Sequence, residues 1–502
     1  MKAVFVLFDS LNRHMLGCYG GRRVPTPNFD SLAARGATYD NHYVGSMPCM
    51  PARRDMLTGR LNFLHRSWGP LEPFDNAFPV MLRAAGVYSH LVTDHFHYWE
   101  DGGATYHNRY DSYEFVRGQE GDPWKGLVAP DWARLAERYH PRQFSSEPRS
   151  YFAHNVVNRE FIRTEADFPA TRCFDLGLEF IAANHGAEDW LLQIECFDPH
   201  EPFHVPARFR EAFPTGWNGP IRDWPRYARV DESAEESAEL RANYCASLAR
   251  CDEQLGRVLD CFDRHGLWRD TALVVTTDHG FLLGEHDFWA KNRMTMYQEV
   301  AHIPLLVYDP RESGRAGTRR ARLTQSIDIA PTFLELFGVA PAPEMQGMAL
   351  RGGDGPARAV AMFGYFGGAV NVTDGRYTYH RYPEDLERQE IYQYTLMPTH
   401  IFGMFSPEEL SQATLSEPLP FTKGAPVLKV PVSNRSPMYR LFGPGALLES
   451  QTRLYDVAAD PKQQHPLDDA ATEARLAAAM AGLMAANDAP PEAFARLGLQ
   501  QK

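Results

Sequence analysis

The feature that most constrains this chain is a set of four largely apolar runs, each closed by an acid, in three of them with histidines beside it. AVFVLF (3–8) ends in Asp9-Ser10, and VYSHLV (87–92) ends in Thr93-Asp94-His95-Phe96-His97. WLLQIECF (190–197) ends in Asp198-Pro199-His200-Glu201-Pro202-Phe203-His204, and ALVVTT (272–277) ends in Asp278-His279-Gly280. Largely apolar runs of strand length, separated by helix-like stretches such as NFDSLAARG and FPVMLRAAG, predict strands buried on both faces. The expected class is therefore α/β, a mostly parallel sheet flanked by helices. In such a sheet ligands bind outside the carboxyl ends of the strands, which is where all four polar clusters fall.

Residues 235–266 carry apolar side chains at helical spacing and stop at Gly266, predicting one long helix. Near residue 355 the rhythm changes to short strand-like pieces (AVAMFGYF, RYTYHRY), followed by a Pro-rich stretch from about 398 to 445 that reads as irregular, and an Ala-rich helix over 469–486. A catalytic domain over 1–355 and a smaller C-terminal α+β subdomain over 356–502 are expected. The net charge of −13 argues against a nucleic-acid surface. No apolar run approaches the roughly 18–20 residues that span a bilayer, and the opening MKAVFVLFDS lacks a leader's cleavage site, so no membrane partner and a cytoplasmic location are expected. Seven cysteines without a CxxC pair suggest buried thiols rather than disulfides or a zinc knuckle.

Asp9, Asp278 and His279 bring two hard carboxylates and one imidazole from two strand ends, a donor set for one divalent cation, with Ca favoured and Mn next. In Ser46-Met47-Pro48-Cys49-Met50-Pro51-Ala52-Arg53, Pro51 is suited to opening a helix, leaving Cys49 at its N-terminal edge, where free N–H groups favour an anion. Arg53 follows one turn later. Read from the residues alone, this is an anion site with a thiol facing it.

These residues resemble the type I, formylglycine-dependent sulfatases of the alkaline phosphatase superfamily. CMPAR matches that family's C-x-P-x-R motif, and RDMLTGR, LGCYGG, PTPNFDSLAARG, PHEPF, TTDHGFLLGEHDFWAKN and LYDVAADPKQQHPL follow the family's order along nearly the whole chain. The resemblance implies an alkaline-phosphatase-like fold and hydrolysis of sulfate esters. It also implies oxidation of Cys49 to formylglycine by a separate maturation enzyme, and a metal held by Asp9, residue 49, Asp278 and His279. A hydrated aldehyde attacks through one hydroxyl and expels sulfate through the other, so the nucleophile regenerates. By correspondence Arg53 orients the nucleophile, Lys291 stabilises the transferring group and His200 protonates the leaving group, with His97 and His204 as substrate contacts.

Two departures stand out. Paired acids after the first strand are replaced by Asp9-Ser10, and the family's GKWH segment by Thr93–His97, where His97 is the better match and His95 the fallback. The alternative function is a phosphonate monoester or phosphodiester hydrolase using the same machinery. A non-catalytic binding scaffold would not explain the joint presence of Cys49, Pro51, Arg53, Asp278, His279 and Lys291. A homo-oligomer is compatible with the sequence.

Overall fold

In a computed structural model of the chain, all four apolar runs are adjacent strands of one eight-stranded sheet. Its order is Thr318–Gln325, Ala37–Tyr43, Leu305–Tyr308, Thr271–Thr277, Lys2–Phe8, Trp190–Cys196, Tyr88–Thr93, Ser112–Phe115. Only Leu305–Tyr308 runs antiparallel to its neighbours. The structure describes residues 1–351, 357–441 and 443–501. The expected domain boundary at 355/356 lies outside the described residues.

Why the runs are continuously apolar is visible in the two cores. Val4, Val6, Phe8, Leu192, Ile194 and Leu273 face the helices Pro27–Arg35, Pro169–Asn184 and Ala234–His265. The alternate residues Ala3, Phe5, Leu7, Leu191 and Val274 face Cys49–Thr58, Phe78–Ala84 and Ile329–Leu336. Because side chains alternate across a strand, a sheet covered on both sides needs apolar residues at most positions rather than at every second one. The predicted long helix spans Ala234–His265: Ser233 and Glu236 form a capping box at its start, and Gly266 ends it at φ 64°, a left-handed conformation that glycine adopts without penalty.

A second sheet has the order Arg453–Asp456, Tyr377–Arg381, Val370–Thr373, Ala361–Tyr365, Ser46–Met47. Its last strand belongs to the N-terminal part of the chain and directly precedes Cys49, so the C-terminal sheet grips the cysteine segment. The stretch expected to be irregular is more ordered than its prolines suggested. It holds the helix Pro407–Ser411 and two strands, Thr414–Leu415 and Leu428–Pro431, that pair in a small sheet with Tyr392–Thr395. The prolines at 407 and 431 occupy a helix start and a strand end, where a missing N–H is tolerated. Among the described residues no helix is long and apolar enough to cross a membrane. All seven cysteines are free, and all but Cys18 are buried.

The long helix also holds the loop after the first strand. The Tyr244 hydroxyl accepts from the Asn12 N–H at 2.8 Å and donates to the Ser10 carbonyl at 2.9 Å. Tyr244→Phe leaves both buried groups unpaired, so urea unfolding should show a stability loss of about 1–3 kcal/mol. An unchanged unfolding curve would mean that other contacts hold this loop.

Candidate active site

Strand register builds the centre. Phe8 pairs with Thr277 on one side and with Cys196 on the other, so Asp9 and Asp278 emerge side by side one residue beyond the paired ends. Both are fully buried. The helix Cys49–Thr58, starting at the cysteine itself, delivers Arg53 between them. Arg53 donates from Nη2 to Asp9 (2.9 Å), from Nη1 to Asp278 (2.6 Å) and to the Cys49 carbonyl (3.2 Å), and from Nε to Glu195 (2.5 Å). The carboxylate of Glu195 is in turn held by the Tyr98 hydroxyl at 2.9 Å.

Cys49, Asp9, Asp278 and His279 each offer a ligand atom, all lying within 4.8 Å of one another. Cys49 Sγ is 3.2 Å from His279 Nε2 and 3.6 Å from Lys291 Nζ. The Nδ1–H of His279 donates to the Gly280 carbonyl at 2.9 Å, which leaves the Nε2 lone pair facing the group. Burial, followed by the nearby Lys291, holds His279 well below the ordinary histidine range, so the ring is neutral, as a ligand must be. Burial would raise Asp9, but the fixed positive charges of Lys291 and Arg53 hold it well below the usual carboxylate range. Burial and the charge of Asp9 push Asp278 up to about 7, the signature of two carboxylates crowded where a cation would relieve them. Two hard oxygens, a neutral imidazole with its second nitrogen anchored, and the residue at 49 fit a divalent ion.

Lys291 Nζ donates to Ser10 Oγ at 2.9 Å and lies 3.7 Å from Asp9; Ser10 Oγ donates to Asp9 at 2.9 Å. Ser10, standing where a second acid was expected, is thus the bridge between the lysine and the first carboxylate. Ala290 and Asn292 flank Lys291, both at φ 70°, a left-handed conformation costly for residues with a Cβ and one way to aim a side chain. The cysteine segment is pinned by buried Asp55, which accepts from the Ser46 N–H (2.5 Å) and hydroxyl (2.9 Å) and from Asn62 (2.6 Å).

His200 joins the group, with Nε2 at 4.0 Å from Asp9. Its Nδ1–H donates to the Glu201 carbonyl at 2.6 Å, and burial followed by Lys291 pushes its pKa down to about 3. The ring is therefore neutral with an acceptor nitrogen toward the centre, and it donates a proton only after gaining one. A cavity of about 240 Å³ opens from the centre, lined by Cys49, His200 and Lys291 and also by His97. His97 pairs with Glu100 at 2.6 Å, while His95 sits deeper, 3.7 Å from Asp9. His204 is not brought into this cavity; it packs against Phe168, with ring centroids 4.8 Å apart and planes tilted by 43°, because the chain turns away after Glu201. Sequence reasoning missed Glu195, Glu120, Glu201 and Tyr227. Two of them carried a signal: Glu201 stood in the polar cluster after the third run, and Glu195 was an acid inside an apolar strand two residues from Gln193 and hence on the same face.

A family model described as Sulfatase matches residues 2–339, and one described as N-sulphoglucosamine sulphohydrolase, C-terminal, matches residues 284–414. The chain belongs to the sulfatase family, and is an enzyme of that family with its alkaline-phosphatase-like fold. The N-acetylglucosamine-6-O-sulfatase of Bacteroides thetaiotaomicron is 24% identical over 401 residues, 69% of this chain and 70% of that one. Among solved structures, the phosphonate monoester hydrolase of Agrobacterium radiobacter superposes with a TM-score of 0.65 at 19% identity, covering 97% of this chain and 96% of that one. A structure in complex with its substrate D-glucosamine-2-N,6-O-disulfate superposes with a TM-score of 0.64 at 15% identity, covering 98% and 99%. At these identities the two structures speak for the fold alone.

The centre depends on one cation. Arg53→Met keeps the bulk but leaves Asp9, Asp278 and Glu195 without their shared partner, and chemical unfolding of the metal-free protein should show a loss of about 3–5 kcal/mol. Arg53→Lys, a charge without the fork, should lose less. Wild-type stability in Arg53→Met would show that the three carboxylates are balanced elsewhere.

Proposed function

We propose that this chain hydrolyses sulfate monoesters, with formylglycine formed from Cys49 as nucleophile and a divalent metal held by Asp9, residue 49, Asp278 and His279. The observation that carries it is the convergence of Cys49, Asp9, Asp278, His279 and Lys291 in one buried group at the strand ends. When bound, the metal supplies a Lewis acid that lowers the pKa of the attacking hydroxyl; the oxygen-rich set favours Ca, then Mn. Arg53, with four of its five N–H donors engaged, positions the carboxylates and balances their charge rather than contacting substrate. Lys291 presents a point positive charge beside residue 49, where the sulfuryl oxygens gather negative charge. His97, on the cavity wall, contacts the substrate's alcohol half.

The same reading assigns residues 1–355 to the catalytic domain and 356–502 to a smaller subdomain that supports the cysteine segment through the pairing of Ser46–Met47 with Ala361–Tyr365. It places the enzyme in the cytoplasm, supported by the unpaired state of its cysteines. A second reading, a phosphonate monoester or phosphodiester hydrolase, uses the same residue 49 and the same group of Asp9, Asp278 and His279. Both substrate types carry a single negative charge at the transferring group. Turnover of an aryl sulfate measured beside an aryl phosphodiester and a phosphonate monoester decides between them.

From a host with an active maturation enzyme, the peptide containing Cys49 should weigh about 18 Da less than the thiol form, as replacement of CH2-SH by an aldehyde requires. Cys49→Ala should fold normally and lose turnover, and chelation should abolish activity, which Ca or Mn then restores. Fully active protein with an unmodified thiol would overturn the mechanism.

His200 is assigned to leaving-group protonation. Its acceptor nitrogen takes up a proton when a bound anionic sulfuryl group offsets the burial and the Lys291 charge that now keep the ring neutral. His200→Ala should lose on the order of 10² to 10⁴ in rate on esters of weakly acidic alcohols and much less on esters of acidic phenols. An equal loss on both would move His200 to sulfuryl binding or positioning of the nucleophile and pass the acid role to His97 or Lys291.

A further inference from the structure

Beyond the reacting centre, the cavity is lined by Glu120 and Glu201 together with the aromatic residues Trp68, Tyr151, Trp224 and Tyr227. Neither acid takes part in the chemistry above. Glu201 is 1% exposed; its Oε1 accepts from the Tyr227 hydroxyl at 2.5 Å, while its Oε2 is buried without a hydrogen-bond partner. The nearest donor, His200 Nδ1 at 3.4 Å, spends its hydrogen on the Glu201 carbonyl. The Glu120 side chain has no hydrogen bond or ion pair among the described residues. Its backbone holds φ 46°, anchored through its carbonyl by Asn155 Nδ2 at 2.8 Å. One atom each from Glu120, His200 and Glu201 lies within 4.8 Å of the others. Neither nearby cation pairs directly with these acids: Lys291, whose charge offsets theirs only in part, donates to Ser10 and lies 3.7 Å from Asp9 at the reacting end, and the Arg293 guanidinium donates to the carbonyls of Leu441 and Ala446. Burial and the charge of Glu201 raise Glu120 well above the usual carboxylate range, and burial pushes Glu201 up to about 7.

An unpaired buried carboxylate is costly unless a ligand supplies the missing charge. Two acids set among ring systems are the recognition chemistry of an organic cation, since aromatic faces and carboxylates both attract a weakly hydrated ammonium. A divalent ion would require further oxygen donors where this wall presents rings. We infer that the cavity selects sulfate esters whose alcohol half carries a positively charged nitrogen, a protonated amine or a quaternary ammonium, seated between Glu120, Glu201 and the aromatic wall. The inference rests on the sulfate-ester reading for the reacting end and on Glu120 and Glu201 for the other.

The test uses the whole, matured and metal-loaded protein. It compares 2-(trimethylammonio)ethyl sulfate with its neutral isostere 3,3-dimethylbutyl sulfate, and separately titrates tetramethylammonium by calorimetry. The cationic ester should have a kcat/KM about tenfold or more above the neutral one, and tetramethylammonium should bind. Glu120→Gln, and independently Glu201→Gln, should bring the ratio of the two esters toward unity and weaken tetramethylammonium binding by about tenfold. Circular dichroism of each variant checks the fold, and the two substitutions make the test independent of either one folding. Equal turnover of both esters, or no binding of tetramethylammonium, overturns the inference. If neither ester is hydrolysed, the sulfatase reading fails, and the tetramethylammonium titration still decides the cation site.

Discussion

One guanidinium organises this molecule's functional end. Arg53 is 1% exposed and bridges Asp9, Asp278 and Glu195, three carboxylates from three adjacent strands. Taking those charges out of water would cost several kcal/mol each if they were unpaired, and a planar fork is the side chain able to satisfy three acceptors in different directions at once. The consequence is geometric. The two carboxylates offered to a metal are held by hydrogen bonds from behind, so their free lone pairs point to a common place before any ion arrives.

The bridge works only because the backbone brings the acids into register. Parallel pairing aligns Phe8 with Thr277 and Cys196, and the two apolar layers on either face keep that register from slipping, since a shift by one residue would turn each apolar set to the wrong helices. Cys49 reaches the same place from another direction. Its segment is clamped between the second sheet, through Ser46–Met47, and Asp55 on the following helix. The C-terminal residues thus act on the chemistry indirectly: they fix the strand from which the cysteine helix starts, and Tyr365 accepts a hydrogen bond from the Asn292 N–H beside Lys291.

Periodicity made the large sheet, the long helix and the polar strand ends legible, because burial on both faces writes itself as continuous apolar runs. Asp9, Asp278 and His279 were readable from place, as the first polar residues after such runs, and Cys49 and Arg53 from motif. What stayed hidden depended on which loops fold back over the strand ends. His204 lies four residues after His200, but the chain turns between them and sends it to Phe168. Glu120 and Tyr227 come from long loops whose composition gives no hint of convergence. The Pro-rich stretch looked irregular because its prolines mask short elements that use them at ends. Ser10 was legible only as the lack of an acid, since its tie to Lys291 spans 281 residues of sequence.

That serine has a place in the charge balance. With Asp9, Asp278 and Glu195 ionised, as a cation-holding site requires, three negative charges face the two positive charges of Arg53 and Lys291, leaving one negative; His279 adds none, being neutral. A divalent ion would turn that balance to a single positive charge, which matches the single negative charge of a sulfate monoester or a phosphodiester. An acid in place of Ser10 would cancel it and leave the centre without net attraction for the anion. The serine instead orients Lys291 by a neutral hydrogen bond, so the lysine's charge remains available to the transferring group. Because the reacting end is balanced in this way, discrimination between substrates falls to the other end of the cavity, where Glu201 presents a buried carboxylate oxygen with no partner of its own.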